Sequence, residues 1–283
     1  MSMLAFAFIL TAAGIHATWN LLPKRLDGGS ESVWRFTLIA TIVYAPPTLF
    51  IIMSTSFRPG FREGVILVGT GVLQAVYFVL LRRGYAAGDL SVVYPLARGI
   101  GPLAATMLAV ALLAERPSFV TVTGALTVSL GTLLLVRRSQ GATASRALLY
   151  GVTTGLVVGC YTVWDGYAVG ELAIPAIIVG WAADAGRLVW LSPIAFRRRS
   201  AMRATWNTNR APILLIGVLS SGSYLLVLYA LTLAPVSTVA PAREIGIVIG
   251  TLFGVFLLGE PEGRRRLIAA AVVTCGVMLV AHG

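Results

Sequence analysis

Charge is what this 283-residue chain has least of: 12% of its residues are Asp, Glu, Lys or Arg, about half the share of an ordinary soluble domain. Hydrophobic residues make up 57%, and the mean hydropathy is +0.86. A water-soluble globule is excluded. The two cysteines, Cys160 and Cys275, both lie inside apolar runs, which excludes a disulfide framework and a thiolate metal site. No CxxC, HExxH, Walker or GxGxxG pattern stands in a setting that would support it, so neither a metal nor a cofactor is expected. Acidic residues are the scarcest charged class, 11 against 22 basic ones. The net charge of +11 would point to nucleic acid in a soluble protein. Here 18 of the 22 cations sit in short connections between apolar runs, so membrane topology accounts for them and no nucleic-acid partner is expected.

What the chain does have is apolar runs of around twenty residues along its whole length, each able to cross a hydrocarbon core about 30 Å thick. Ten spans are expected: Met3–Leu22, Val33–Ser54, Gly64–Leu81, Ser91–Leu113, Ser118–Val136, Ala147–Val169, Ile174–Phe196, Pro212–Leu233, Val236–Leu258 and Arg266–Ala281. They read as helices, because the runs lack the period-2 alternation of a membrane β-strand. The first lacks the basic flank of a signal peptide and is taken as a span. The longest connection, Arg197 to Ala211, holds five arginines and is too short for a domain.

Sliding the sequence on itself by 145 residues exposes an internal repeat. Over Ala97–Val136 against Ala242–Ala281 there are 13 identities in 40 positions: Ala97, Arg98, Ile100, Gly101, Thr106, Val110, Leu112, Leu113, Glu115, Ala125, Val128, Gly131 and Leu134 all recur. The same offset pairs Gly14 with Gly159 and Trp19 with Trp164, and sets His16 opposite Tyr161 and Asn20 opposite Asp165. The expected architecture is therefore an all-α membrane protein built as one integral unit from two five-helix repeats, residues 1–140 and 141–283. Five is odd, so the second copy enters the membrane from the opposite side, giving the inverted repeat found in many carriers.

Loop charge sets the expected orientation. With the N-terminus outside, Lys24, Arg25, Arg82, Arg83, Arg137, Arg138, Arg146, Arg197, Arg198, Arg199, Arg203, Arg210, Arg264, Arg265 and Arg266 fall on the cytoplasmic side. Only Arg58, Arg62 and Arg116 fall on the other. The positive-inside rule then places both termini outside a bacterial-type inner membrane.

Several motifs together resemble the EamA-type carriers of the drug/metabolite transporter superfamily. They are the stretch His16-Ala17-Thr18-Trp19-Asn20-Leu21-Leu22-Pro23-Lys24, the segment Pro95-Leu96-Ala97-Arg98, and the paired ends Leu112-Leu113-Ala114-Glu115 and Leu257-Leu258-Gly259-Glu260. The resemblance covers essentially the whole chain. It implies a secondary carrier, often an exporter of amino acids or related metabolites, with a central cavity lined by spans 1, 3, 4, 6, 8 and 9. In that family both termini are usually drawn inside, against the charge distribution here.

Apart from Arg266 at a span edge, seven charged residues lie within the spans: Arg35, Arg98, Asp165, Asp184, Arg187, Arg243 and Glu244. Each costs about 2.5–3.5 kcal/mol at a helix centre and so needs a partner or a wet cavity. Arg35, two residues into its span, is expected to snorkel. Asp184 and Arg187, three apart on one helical face, read as an internal ion pair. Arg98 and Arg243 are repeat mates, each a few residues past a proline, Pro95 and Pro241, where the helix backbone is disturbed. Span polarity puts Asn20 and Arg98 in one half of the bilayer and Asp165 and Arg243 in the other. Asp165 is then expected to neutralise Arg243, leaving Arg98 as the unpaired cation that binds substrate.

The expected substrate-binding set is Arg98, Asn20, Trp19, His16, Tyr77, Trp164, Tyr161 and Tyr224, with Arg243, Asp165 and Glu244 as gating or coupling residues and Glu244 as a proton carrier. Competing assignments remain open: the tryptophans also fit interface anchors, His16 a packing histidine, and Gly14, Gly159, Gly101 and Gly246 close helix packing. The expected substrate is a small zwitterionic or anionic metabolite, amino acids foremost, with proton coupling allowed. The bilayer is the other partner, and nothing requires more than a monomer. A lipid-carrier or organophosphonate transporter of the same fold is the alternative. An intramembrane enzyme is disfavoured: neither Asp165 nor Asp184 sits in a GxGD setting, and no histidine follows Ser220-Ser221-Gly222-Ser223 before His282.

Overall fold

The computed structural model describes residues 1–21, 30–55, 57–87, 90–136, 142–196, 199–257, 259 and 262–283. All regular structure among them is helical: α1 (Met3–Leu21), α2 (Ser30–Ser54), α3 (Phe61–Ala87), α4 (Leu90–Leu112), α5 (Phe119–Leu133), α6 (Ala142–Gly170), α7 (Ala176–Phe196), α8 (Arg199–Leu231), α9 (Val236–Ala242), α10 (Ile245–Leu252), a π-helical turn Phe253–Leu257 and α11 (Gly263–His282). Each apolar run read from the sequence is helical. Among the described residues, seven helical stretches are long and apolar enough to cross a membrane, while α1 and α5 hold shorter apolar segments. Lys24, Arg25, Leu258 and Glu260 lie outside the described residues, as does the side chain of Asn20.

Polarity is distributed as a bilayer requires. Phe50, Met53, Met107 and Phe256 are about two-thirds exposed or more, whereas Asp165 and Glu244 are fully buried. Apolar side chains facing outward meet lipid at no cost, and charged groups turn inward.

Three features differ from expectation. Helix α8 begins at Arg199, so most of the presumed 197–211 connection is helix. Hydropathy marks where a helix leaves the hydrocarbon, not where it stops, and arginine is a good helix former. Arg35 does not snorkel: it is buried in the second turn of α2, its guanidinium 5.6 Å from the Trp206 ring centre. The third difference is the ninth run, which breaks in two. Pro241 supplies no N–H, and the bonds Glu244 N–H to Pro241 (3.1 Å) and Gly246 N–H to Arg243 (3.2 Å) tighten the chain into a turn between α9 and α10. Its repeat mate α4 stays continuous through Pro95 and Pro102.

The first Leu-Leu-Ala-Glu end is a helix stop. Ala114 (φ 53°) and its repeat mate Gly259 (φ 62°) both take the left-handed conformation. The turn at Ala114 carries Glu115 across to the other half of the chain, where its two carboxylate oxygens accept the first N–H groups of α9, Val236 at 2.7 Å and Ser237 at 2.9 Å. The same end of the bundle holds both termini, the Met1 ammonium donating to the Ala281 carbonyl at 3.2 Å.

Close approaches recur under the 145-residue shift. Gly131 lies against Val273 and Gly276 against Val128; Gly101 lies against Val158 and Gly246 against Ala13. Helix neighbours recur as well: α4 with α6 and α10 with α1, α3 with α6 and α8 with α1, α3 with α7 and α8 with α2.

Candidate functional site

A cavity of about 400 Å³ opens among α1, α3, α4, α6, α8 and the α9–α10 break. Its wall includes Trp19 near the end of α1, Phe36 near the start of α2, Tyr85 near the end of α3 and Tyr94 near the start of α4. It therefore runs from mid-bundle toward the end opposite the termini. At the terminal end, Ile9, Ala12, Val163, Val169, Ile174, Val227, Val236 and Val239 form a packed apolar cluster.

Two repeat-related arginines and one carboxylate meet in this cavity. Arg98 Nη1 lies 3.2 Å from Glu244 Oε1, and Arg243 Nε lies 3.4 Å from the same oxygen, an ion-pair contact whose angle makes no hydrogen bond. Arg98 Nη2 also meets His16 Nε2 at 3.0 Å. A guanidinium can only donate, so this nitrogen of His16 accepts and the ring carries its proton on Nδ1. Tyr94 and Tyr161 place their rings 5.4 Å and 5.8 Å from the Arg98 and Arg243 guanidinium carbons. Arg243 Nε and Nη2 and Glu244 Oε2 are buried without a hydrogen-bond partner. Three full charges thus sum to +1, with donors and an acceptor unspent beside open volume.

This arrangement corrects two expectations. Arg98 is not the unpaired cation, and Asp165 does not pair with Arg243. Asp165 instead accepts from Thr70 Oγ1 at 2.6 Å and from the Tyr224 hydroxyl, which in turn accepts from Gln74 Nε2 at 3.0 Å. The error lay in treating each half-membrane separately. The turn at Arg243 and Glu244 lets sequence neighbours face one cavity, whereas successive residues of a continuous helix point about 100° apart.

His16, Trp19, Tyr77, Tyr161, Tyr224, Arg98, Arg243 and Glu244 all line the cavity. Trp164 and Asp165 do not. The Trp164 indole donates to the Ile66 carbonyl at 2.9 Å with its ring against Gly69, so its expected place in the cavity wall is corrected to a helix-packing contact. Asp184 and Arg187 form the expected pair at 3.0 Å. Sequence reasoning missed Gln74, Tyr85, Tyr94 and the serines 220, 221 and 223 as lining. Only Tyr94 carried a signal, its position beside the Pro95 motif.

Residues 145–281 match the EamA-like transporter family. That stretch, the second half of the chain, is thus similar to EamA-like transporters. A crystal structure of a protein 18% identical in sequence superposes with a TM-score of 0.74, covering 97% of this chain and 95% of the other, and so shares the fold. No curated protein sequence matches. Members of the EamA-like family are transporters, which fits the apolar, membrane-crossing helices of this chain.

Proposed function

We propose that this EamA-like chain is a secondary-active carrier of small zwitterionic or anionic metabolites, amino acids foremost, working as an exporter by alternating access between two inverted five-helix repeats. The observation that carries the reading is the Arg98–Glu244–Arg243 cluster with its unspent hydrogen-bonding groups. A substrate carboxylate matches the Arg243 guanidinium, whose Nη2 makes no hydrogen bond. A substrate ammonium matches Glu244 Oε2. Tyr77, Tyr85, Tyr94 and Tyr161 leave an aromatic wall for the remainder.

The reciprocal close approaches of α5 with α11 and of α4 and α10 with their neighbours support the symmetric ten-span design. A cavity open at one end and packed shut at the other is one of the two states such a design needs. On the loop-charge orientation the open end faces the cytoplasm, where an exporter takes up its load.

The test is thermal unfolding of the purified protein against the proteinogenic amino acids and their C-terminal amides. At least one free acid should raise the transition temperature by mass action, its amide should not, and Arg243→Gln should cancel the effect. Equal stabilisation by acid and amide, or by none of the panel, refutes the reading.

A further inference from the structure

Beyond the charged cluster, two more carboxyls are buried among the described residues: Asp184, which is paired with Arg187, and Asp165, which the substrate site leaves unused. Asp165 is fully buried on α6, outside the cavity lining, yet one hydrogen bond separates it from that lining. Its Oδ1 is held by Thr70 of α3 at 2.6 Å and its Oδ2 by the Tyr224 hydroxyl of α8. Gln74 of α3 donates to the same Tyr224 oxygen at 3.0 Å, and both Gln74 and Tyr224 border the cavity.

Among the described residues, the groups facing Asp165 supply no fixed counter-ion in contact. From α3 come Thr70 and Gln74, both uncharged; from α8, the phenol of Tyr224, which Tyr161 of α6 neighbours in turn; from the α9–α10 junction, Arg243, whose field reaches it without an ion-pair contact. From α9, Val236 packs at the adjacent Gly166. Arg243 and Arg98 are already engaged by Glu244, the carboxylate otherwise expected to carry protons. Glu244 is thereby committed as a counter-ion, and Asp165 is the carboxyl left to gain and lose charge.

Its position favours the same assignment. Asp165 lies near the end of α6, between the cavity and the apolar cluster that shuts the terminal end, in which Val163, Ala168 and Val169 are its close sequence neighbours. A group at that boundary is reached from the cavity in this state. It would be reached from the other side once the apolar cluster parts.

We propose that Asp165 is the proton-carrying carboxyl of this carrier, loaded from cavity water through the Tyr224 hydroxyl. In the loading step a hydronium gives a proton to the Tyr224 oxygen while the phenol's own proton passes to Asp165 Oδ2. An O–H bond breaks on the hydronium and one on the phenol, and one forms on each acceptor. The net result is one water, an unchanged phenol and a neutral carboxylic acid. With no cation in contact, the proton is the charge that lets Asp165 cross the packed region during the conformational change. The coupling consequence rests on the carrier reading above; the proton site itself does not.

The experiment is infrared difference spectroscopy of the protein in lipid vesicles, comparing acid and alkaline buffer with no added substrate. Wild type should show a protonated-carboxyl C=O band equivalent to about one proton per chain that Asp165→Asn removes and Glu244→Gln retains. Tyr224→Phe should keep the band but move it to higher frequency, because the carboxyl loses a hydrogen bond; this variant keeps the test decisive if Asp165→Asn fails to fold. A band that survives Asp165→Asn, that is missing from wild type, or that Tyr224→Phe leaves unmoved overturns the assignment. A protein that titrates in this way but that no amino acid stabilises would defeat the substrate reading alone. One that amino acids stabilise but that shows no Asp165 band would defeat the proton site alone.

Discussion

Removing the charge of Glu244 is the sharpest perturbation the cavity offers, because one oxygen serves two cations. Arg98 Nη1 at 3.2 Å and Arg243 Nε at 3.4 Å each interact with Oε1 by about 5 kcal/mol gross at an effective dielectric constant of about 20. Desolvation of a fully buried carboxylate offsets much of this, and breaking a buried pair by removing one partner costs about 3–5 kcal/mol in practice. Glutamine keeps the shape and an acceptor for Arg98, so Glu244→Gln should fall near the lower bound. At roughly 2–4 °C per kcal/mol, the transition temperature should drop by about 6–12 °C. The cluster then holds two cations and no anion, a net charge of +2 in place of +1. Acetate should therefore stabilise Glu244→Gln more than wild type, and adding Arg243→Gln should restore part of the loss. The assay is intrinsic-fluorescence melting in detergent, with and without acetate at constant ionic strength. A variant that melts with wild type and ignores acetate would show that the three side chains do not share a buried site.

Glu115→Gln exchanges a carboxylate for an amide at the first turn of α9, weakening two charge-assisted bonds. Amide exchange at Val236 and Ser237 should speed up by about 10–100-fold, from a loss of about 1.4–2.8 kcal/mol, and unchanged exchange would remove Glu115 from the closure of that end. Gly186→Val should prevent folded protein from accumulating, since a Cβ at 186 would sit 2.4 Å from the Gly71 Cα, a backbone atom that cannot step aside. Gly250→Ala, with nothing within 4 Å of the new methyl, should be silent; equal expression of the two variants would contradict the α3–α7 packing. A reporter fused after Gly283 should read extracytoplasmic. A cytoplasmic reading would reverse the orientation taken from the loop arginines and leave the cavity geometry untouched.

The membrane environment, the helical runs and the two-fold internal repeat were all legible in the residues. Burial in lipid demands continuous apolar stretches, and such stretches are a one-dimensional signal. Legible too was that Arg98, Arg243 and Glu244 would turn into the bundle, because a charge inside an apolar run is costly wherever it sits. The local pairing of Asp184 with Arg187 followed from spacing alone, both lying on one helical face.

Which charge meets which was beyond the sequence. Glu244 replaces, in the repeat register, a glycine at 99, so nothing in the first copy announced that one carboxylate would serve both arginines. Trp164 and Asp165 lie one turn beyond Tyr161 yet leave the cavity, because the rotation of α6 is set by Gly69 and by Thr70 of a helix far away in sequence. Sequence alone determined that this chain is a membrane helix bundle holding buried arginines, since those features follow from the solvent each segment must meet. Tertiary structure decided that Glu244 pairs with both arginines while Asp165 is handed to Thr70 and Tyr224. Such partnerships depend on how helices are turned against one another, which is settled by packing between segments and by the break at Arg243 and Glu244.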